Sequence, residues 1–340
     1  MHVLLTGSII AGVIGVCLQP VVVRVLVRRS ILDIPNERSS HTVPTPRGGG
    51  IAIVMALVAA LSIDETTRVF VVPLLLFGGI GLLEDLRGAS IPVRLSLQCG
   101  AGVVAAAALT VPGHLGPAWT VVFPLATLWL VGYANVFNFM DGLNGMSAAN
   151  AILSGGVYAT AGWIHGVPVL TLVGVVTVVA AATFLPWNAG QAKVFPGDVG
   201  AYGLGALLAA VAVYALMAGL ALEAVLAPLA LYLTDTGCTL VRRVYRSERW
   251  YAPHRSHAFQ RLTDVGWSHQ AVTATTVAVG AVLSAAGLVA EGLPVTARLA
   301  TDAAGVLLLI AYMALPTLLA RRRAACRRLP GLQKENWTRA

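Results

Sequence analysis

Long apolar runs alternate with short polar connections along this 340-residue chain. Runs long enough to cross about 30 Å of hydrocarbon as helices fall near residues 3–27, 50–63, 69–84, 95–111, 118–136, 147–163, 168–186, 201–217, 219–235, 269–290 and 300–320. They predict an all-α, polytopic membrane protein with eleven transmembrane helices. The second and third runs are short for a full crossing, so tilting, shifting or interruption is expected there. Connections such as Val111 to Pro117 and Gly162 to Pro168 are rich in Gly and Pro and read as plain turns. No internal repeat or soluble domain breaks the pattern. Residues 1–340 therefore read as one membrane-embedded domain with a long basic loop at 236–268 and a basic tail at 321–340.

Composition excludes a soluble globular enzyme: 57% of residues are hydrophobic and only 11% charged, where a soluble domain carries about 25% charged residues. The basic cluster Arg24, Arg28 and Arg29 follows the first apolar run, whereas a signal peptide carries its charges in front. The run is expected to stay as the first helix. Cys17, Cys99, Cys238 and Cys326 stand without C-x-x-C spacing, which indicates neither a disulfide framework nor a zinc site.

A formal charge of +8 invites a nucleic-acid reading, but its distribution says otherwise. All 23 Lys and Arg residues except Arg68 and Arg298 lie at or after the ends of odd-numbered runs. By the positive-inside rule those loops face the cytoplasm and the N-terminus lies outside. The basic excess then reports topology and contact with anionic lipid, not nucleic acid.

The same parity gathers the polar motifs, at 28–49, 84–94, 137–146, 187–200 and 236–268, onto one face. The most polar interruption is Asn135-Val-Phe-Asn138-Phe-Met-Asp141-Gly142-Leu-Asn144-Gly145. An ionisable group at the bilayer centre costs about 2.5–3.5 kcal/mol, so polar groups ending a span usually line water, metal or substrate. Asp141 is expected to face a reacting headgroup. In the first loop, Arg38, His41 and Arg47 beside Gly48, Gly49 and Gly50 suit an anionic phosphate. In the second, the adjacent carboxylates Glu84 and Asp85 repel unless a cation stands by them. Magnesium would answer that cost, as would Arg87 at a solvated turn. In the fourth, Asp198 sits between glycines at the mouth of a helix, and Trp187 and Phe195 would stack on a flat ring or anchor the interface. The fifth holds Asp235, six arginines including Arg242, and His254 and His257, an electropositive wall for a pyrophosphate.

In this order the motifs resemble the polyprenyl-phosphate N-acetylhexosamine-1-phosphate transferase family, glycosyltransferase family 4, which includes the initiating transferases of bacterial wall polymers and peptidoglycan translocase I. The resemblance runs from Asp33 to about His269. The family's N-x-x-N-x-x-D-G motif falls on Asn135, Asn138, Asp141 and Gly142. Its N-to-F-x-G-D motif falls on Asn188, Phe195, Gly197 and Asp198, and its first-loop pattern on Asp33, Pro35, Arg38, His41, Pro44, Pro46, Arg47, Gly48 and Gly49. Three positions depart from it. Paired aspartates appear as Glu84-Asp85, Asn144 replaces a second aspartate, and Pro253-His254-Arg255-Ser256-His257 lacks the three consecutive histidines of peptidoglycan translocase I.

The resemblance implies a multi-pass inner-membrane enzyme whose active site faces the cytoplasm. It implies transfer of a sugar-1-phosphate, by family default an N-acetylhexosamine-1-phosphate, from a UDP-sugar to undecaprenyl phosphate with release of UMP. Mg2+, with Mn2+ admissible, would sit on Asp198 with Asp85 or Asp141 beside it. Glu84, Asp85 and Asp141 would be the catalytic carboxylates. His41, Arg47, Asn135, Asn138, Asn144, Asn188, Lys193, Phe195, Arg242, His254 and His257 would bind substrate, with Phe195 against uracil. A homodimer is left open. The rivals are phospho-N-acetylmuramoyl-pentapeptide transfer, which the histidine pattern opposes, and an anion transporter, which would place its site at the bilayer midplane. A CDP-lipid phosphotransferase is opposed by Leu143-Asn144-Gly145-Met146 after Asp141-Gly142.

Overall fold

The computed structural model describes residues 2–35, 43–110, 118–249, 251–252 and 254–327. His41 and Arg38, the connection at 111–117 expected to be a turn, Pro253 and the residues beyond 327 lie outside the described residues. The protein is all-α apart from a two-residue antiparallel pairing, β1 (Leu32–Asp33) with β2 (Thr45–Pro46). Its helices are α1 (His2–Arg28), α2 (Gly50–Leu61), α3 (Val71–Arg87), α4 (Ile91–Leu109), α5 (Trp119–Met140), α6 (Met146–Ile164), α7 (Pro168–Asn188), α8 (Gly197–Met217), α9 (Leu222–Tyr245), α10 (Ala258–Asp264), α11 (His269–Ala290) and α12 (Val295–Arg327). All but α10 coincide with an apolar run of the sequence.

Nine helices among the described residues are long and apolar enough to cross a membrane, which makes the chain a multi-pass membrane protein. Of the eleven expected spans, α6 is not one of them, and neither is the twelve-residue α2. At 1.5 Å per residue it spans only about 18 Å. The third run is longer than expected. A 3-10 turn at Arg68–Phe70 leads into α3, and the helix continues through Glu84 and Asp85 to Arg87. Similarly α5 carries Asn135 and Asn138 within its last turns, and α9 runs ten residues past the apolar stretch to Tyr245. Polarity ends an apolar run but not a helix, whose backbone bonds close within the segment in either solvent.

The bundle is organised around α8, whose residues are nearly all buried. Its sequence is dominated by Gly and Ala, and small residues let helix backbones approach closely in a membrane, where van der Waals packing and hydrogen bonds drive association. It packs against α3, α5 and α2. Gly81 of α3 marks the closest approach, because a Cβ there would overlap the backbone of Asp198 and Val199. Gly81→Ala is therefore expected to push α8 off α3 and destabilise the fold by about 1–3 kcal/mol, the usual range for overpacking. Thermal unfolding in detergent measures it, and an unchanged midpoint would contradict the contact.

Candidate active site

Four polar motifs meet at one end of this packed core. Asp85, on the last turn of α3, accepts hydrogen bonds from the backbone N–H groups of Asp198 (2.9 Å) and Val199 (3.0 Å), the first turn of α8. It thereby satisfies two of the N–H groups that a helix start leaves unpartnered. Gly197 makes this possible. Its φ is +70°, and a Cβ there would stand 2.5 Å from Asp85 Oδ2.

Arg47 reaches the same place from β2. Its Nε lies 2.7 Å from Asp85 Oδ1 and its Nη2 2.7 Å from Asp198 Oδ2, so one guanidinium joins both carboxylates. Asn138 donates to the other oxygen of Asp198 at 2.7 Å. The Asp85 side chain is 1% exposed, that of Asp198 12% and that of Arg47 37%, so the cluster opens toward Arg47 and Asp198. The segment carrying Arg47 is fastened to the fourth loop by backbone bonds. Phe195 N donates to Pro46 O (2.8 Å), Gly49 N to Phe195 O (2.9 Å) and Gly50 N to Pro196 O (2.8 Å).

Glu84 points away from its neighbour and pairs with Arg94 at 3.3 Å, while its Oε2 is buried without a partner. The adjacent carboxylates are thus separated and neutralised by two arginines, Arg47 and Arg94, where the sequence reading offered magnesium or Arg87. Asp85 has its oxygens committed to three nitrogen donors and serves first as the cap of α8. Asp85→Asn is expected to cost about 2–3 kcal/mol, since it breaks a buried ion pair and weakens a cap. Chemical or thermal unfolding reads this, and a loss under 1 kcal/mol would remove the capping role.

Asp141 lies just beyond the end of α5, half-buried, and accepts from Ser147 Oγ at 2.5 Å. Burial pushes its carboxyl up to about 7, against the opposing pull of the Ser147 hydroxyl, and the nearby Asp198 adds to the rise. The turn that holds it is clamped to the fourth loop. Gly145 N donates to Asn188 Oδ1 (2.7 Å), Asn188 Nδ2 to Val194 O (3.0 Å) and Asn144 Nδ2 to Gly190 O (2.6 Å). Asn188 and Asn144 therefore hold loops together through backbone partners. Asn135 lies one turn deeper in α5 and donates to Gln98 Oε1 and Val131 O, both at 2.8 Å. Lys193 is exposed with its Nζ 5.6 Å from the centre of the Trp187 ring, and Phe195 is half-buried.

The fifth loop folds back on the same end. Arg242 donates to Thr239 Oγ1 (3.1 Å) and Ser256 O (3.2 Å). His254 stands 5.0 Å, ring to ring, from the buried His257. Partial burial and the neighbouring His257, Arg243 and Arg242 lower His254 to about 4, so it is a neutral hydrogen-bonding group near pH 7. Arg243 pairs with Glu248 (2.8 Å) and Arg255 with Asp264 (3.1 Å). The expected electropositive wall is thus partly neutralised from within.

Among the described residues no group of three or more His, Cys, Asp or Glu side chains forms a metal cage. Magnesium needs none, since it takes one or two carboxylates and completes its shell with water and phosphate. Asp198 fits that demand better than Asp85: its side chain is 12% exposed against 1%, and each of its oxygens has one partner, Asn138 or Arg47. The oxygens of Asp85 are already held. Sequence reasoning missed the capping role of Asp85 and the Ser147 partner, and it named Asp235 in the fifth loop without giving it a role. For Asp235 a signal existed, a lone carboxylate at the end of an apolar run.

Together these features define an all-helical, multi-pass membrane enzyme with carboxylates, asparagines and an arginine converging at helix ends. Residues 67–216 match the model of glycosyl transferase family 4. The chain is similar to a probable undecaprenyl-phosphate N-acetylglucosaminyl 1-phosphate transferase of Bacillus subtilis, 27% identical over 80% of each chain. It is also similar to a decaprenyl-phosphate N-acetylglucosaminephosphotransferase of Mycobacterium tuberculosis, 30% identical over 74% of this chain and 73% of the relative. A phospho-N-acetylmuramoyl-pentapeptide-transferase of Halalkalibacterium halodurans is 28% identical over 63% of this chain and 75% of its own length. The chain belongs to glycosyl transferase family 4 and is a glycosyl-1-phosphate transferase.

Proposed function

We propose that the protein transfers N-acetylhexosamine-1-phosphate from a UDP-sugar to undecaprenyl phosphate at the cytoplasmic face of the inner membrane, with Mg2+, and starts a cell-envelope polysaccharide. The observation that carries this reading is the meeting of Asp198, Arg47 and Asn138 at the start of α8, in a chain whose relatives are named for polyprenyl-phosphate sugar-phosphate transfer. An oxygen of the lipid phosphate attacks the phosphorus next to the sugar. The bond to the uridine-bearing phosphate breaks, and UMP leaves with the bond's electron pair.

Anion attacks anion here, so alignment and charge neutralisation dominate the barrier. A magnesium ion on Asp198, when bound, would supply positive charge against the diphosphate. Arg47, held in place by Asp85, would share its guanidinium with a phosphate oxygen, and Asn138 would keep Asp198 oriented. Asp141, titrating near neutrality, would take any proton remaining on the acceptor phosphate, whose second pKa is about 6. The exchanged phosphoanhydride bonds are alike, so the step is nearly balanced. The test is UMP release by purified protein with undecaprenyl phosphate, Mg2+ and a panel of UDP-sugars, UDP-N-acetylmuramoyl-pentapeptide included. Lipid-dependent UMP from one UDP-N-acetylhexosamine, abolished by EDTA, is the expected result. UMP only from the pentapeptide donor, or from none, would overturn it.

A further inference from the structure

We propose that Asp235 is a positioning residue that fixes the tautomer and orientation of His257, so that the Nε2 atom of His257 meets the substrate beside Asp141. The inference rests on the reaction proposed above. Asp235 is fully buried in α9, and no step of that reaction uses it. A carboxylate in such a place is costly unless it has a task. Its Oδ1 accepts from Ala258 N at 2.9 Å and lies 3.2 Å from His257 Nδ1 and 3.3 Å from Thr239 Oγ1. Its Oδ2 accepts from Phe259 N at 3.3 Å.

An ionised carboxylate accepts and never donates, so with Asp235 ionised the proton of a neutral His257 ring stands on Nδ1, facing Oδ1. The other ring nitrogen then keeps its lone pair for a ligand, and the partner of one imidazole nitrogen sets the role of the other. Packing fixes the ring's direction. Phe259 stacks on it at 5.5 Å, His254 lies at 5.0 Å and Phe139 at 6.5 Å, centre to centre. Phe139 precedes Asp141 by two residues, and the Phe259 ring lies so close over Gly142 that a Cβ there would meet it at 2.8 Å. The imidazole is thereby held against the turn that carries Asp141. Asp235 ties the fifth loop to the Asn135–Gly145 motif through this ring and that of Phe259.

The full-length protein labelled with 15N-histidine in lipid nanodiscs tests the tautomer, with the His257 signals assigned by their loss in His257→Gln. An Nδ1-protonated neutral ring is expected, and an Nε2-protonated one would overturn the inference. Kinetics supply the second arm. Removing such a supporting partner typically costs about 10- to 100-fold, so Asp235→Asn should lower kcat by about that factor with the donor KM changed only a few-fold. The double variant with His257→Gln should be no slower than His257→Gln alone. Losses that multiply would show that Asp235 acts elsewhere and would overturn the inference. Should Asp235→Asn fail to fold, Asp235→Glu keeps the acceptor and is expected to keep the Nδ1-protonated signal, whose loss there would count against it. Absence of UMP from every donor would defeat the proposed reaction, while the tautomer signal would still decide this inference.

Discussion

Asp198→Asn is expected to lower turnover by about 1,000-fold, the scale reached when a preorganised electrostatic group is removed, with a thermal unfolding midpoint close to that of the parent. The substitution changes almost no volume. Its amide oxygen can still accept from Asn138, which now bonds Asp198 at 2.7 Å. What disappears is the charge facing Arg47 at 2.7 Å and, in the proposed reaction, the charge that holds magnesium. UMP release and detergent unfolding measured on the same preparation separate the two effects. Turnover like the parent's would remove Asp198 from the mechanism. The contrast with Asp85→Asn, which is expected to cost stability, distinguishes the residue proposed to meet the substrate from the one that caps α8.

The second large effect concerns Asp141. Its carboxyl is raised to about 7, chiefly by burial. For a carboxyl raised on folding, the folded state holds the proton longer than the unfolded chain. Its contribution to stability is therefore complete at low pH and is lost as pH climbs from about 4, the ordinary aspartate value, to about 7. Asp141→Asn is expected to unfold at a higher temperature than the parent at pH 8, where the parent holds a poorly solvated charge. The same variant should turn over about 100-fold more slowly, the scale of a lost general base. In the parent, kcat/KM should rise with pH about a midpoint near 7. A variant that is less stable than the parent at pH 8, or a profile flat from pH 6 to 8, would contradict this assignment.

Much of the architecture was legible because a span must be both long and apolar. Every apolar run became a helix, and the short second run became α2. Helix ends were less legible. Glu84 and Asp85 read as a loop because they are charged, yet they complete the last turn of α3, and Arg242 to Tyr245 complete α9. The seven-residue α10 has no long apolar signature to announce it. Within the candidate site, Arg47, Asp85, Asn138 and Asp198 were all singled out by residue type and position. Their pairing was not, because Arg47 and Asp198 are 151 residues apart and nothing local encodes the contact. Asn188 and Asn144 are polar residues at the right end of the bundle whose amides serve backbone partners, and sequence alone cannot separate such a clamp from a ligand.

The guanidinium of Arg47 between Asp85 and Asp198 has a consequence for how the resting enzyme exists at all. Two carboxylates drawn together at the edge of a bilayer would drive their helices apart if left alone. With a covalently attached counter-ion among them, the chain can fold and insert before any nucleotide or ion arrives. In the proposed reaction an incoming diphosphate would find a cation that already has partners. Binding would then be an exchange of partners in which a phosphate takes over part of what the carboxylates relinquish, and no bare charge would have to be created at any point along the way.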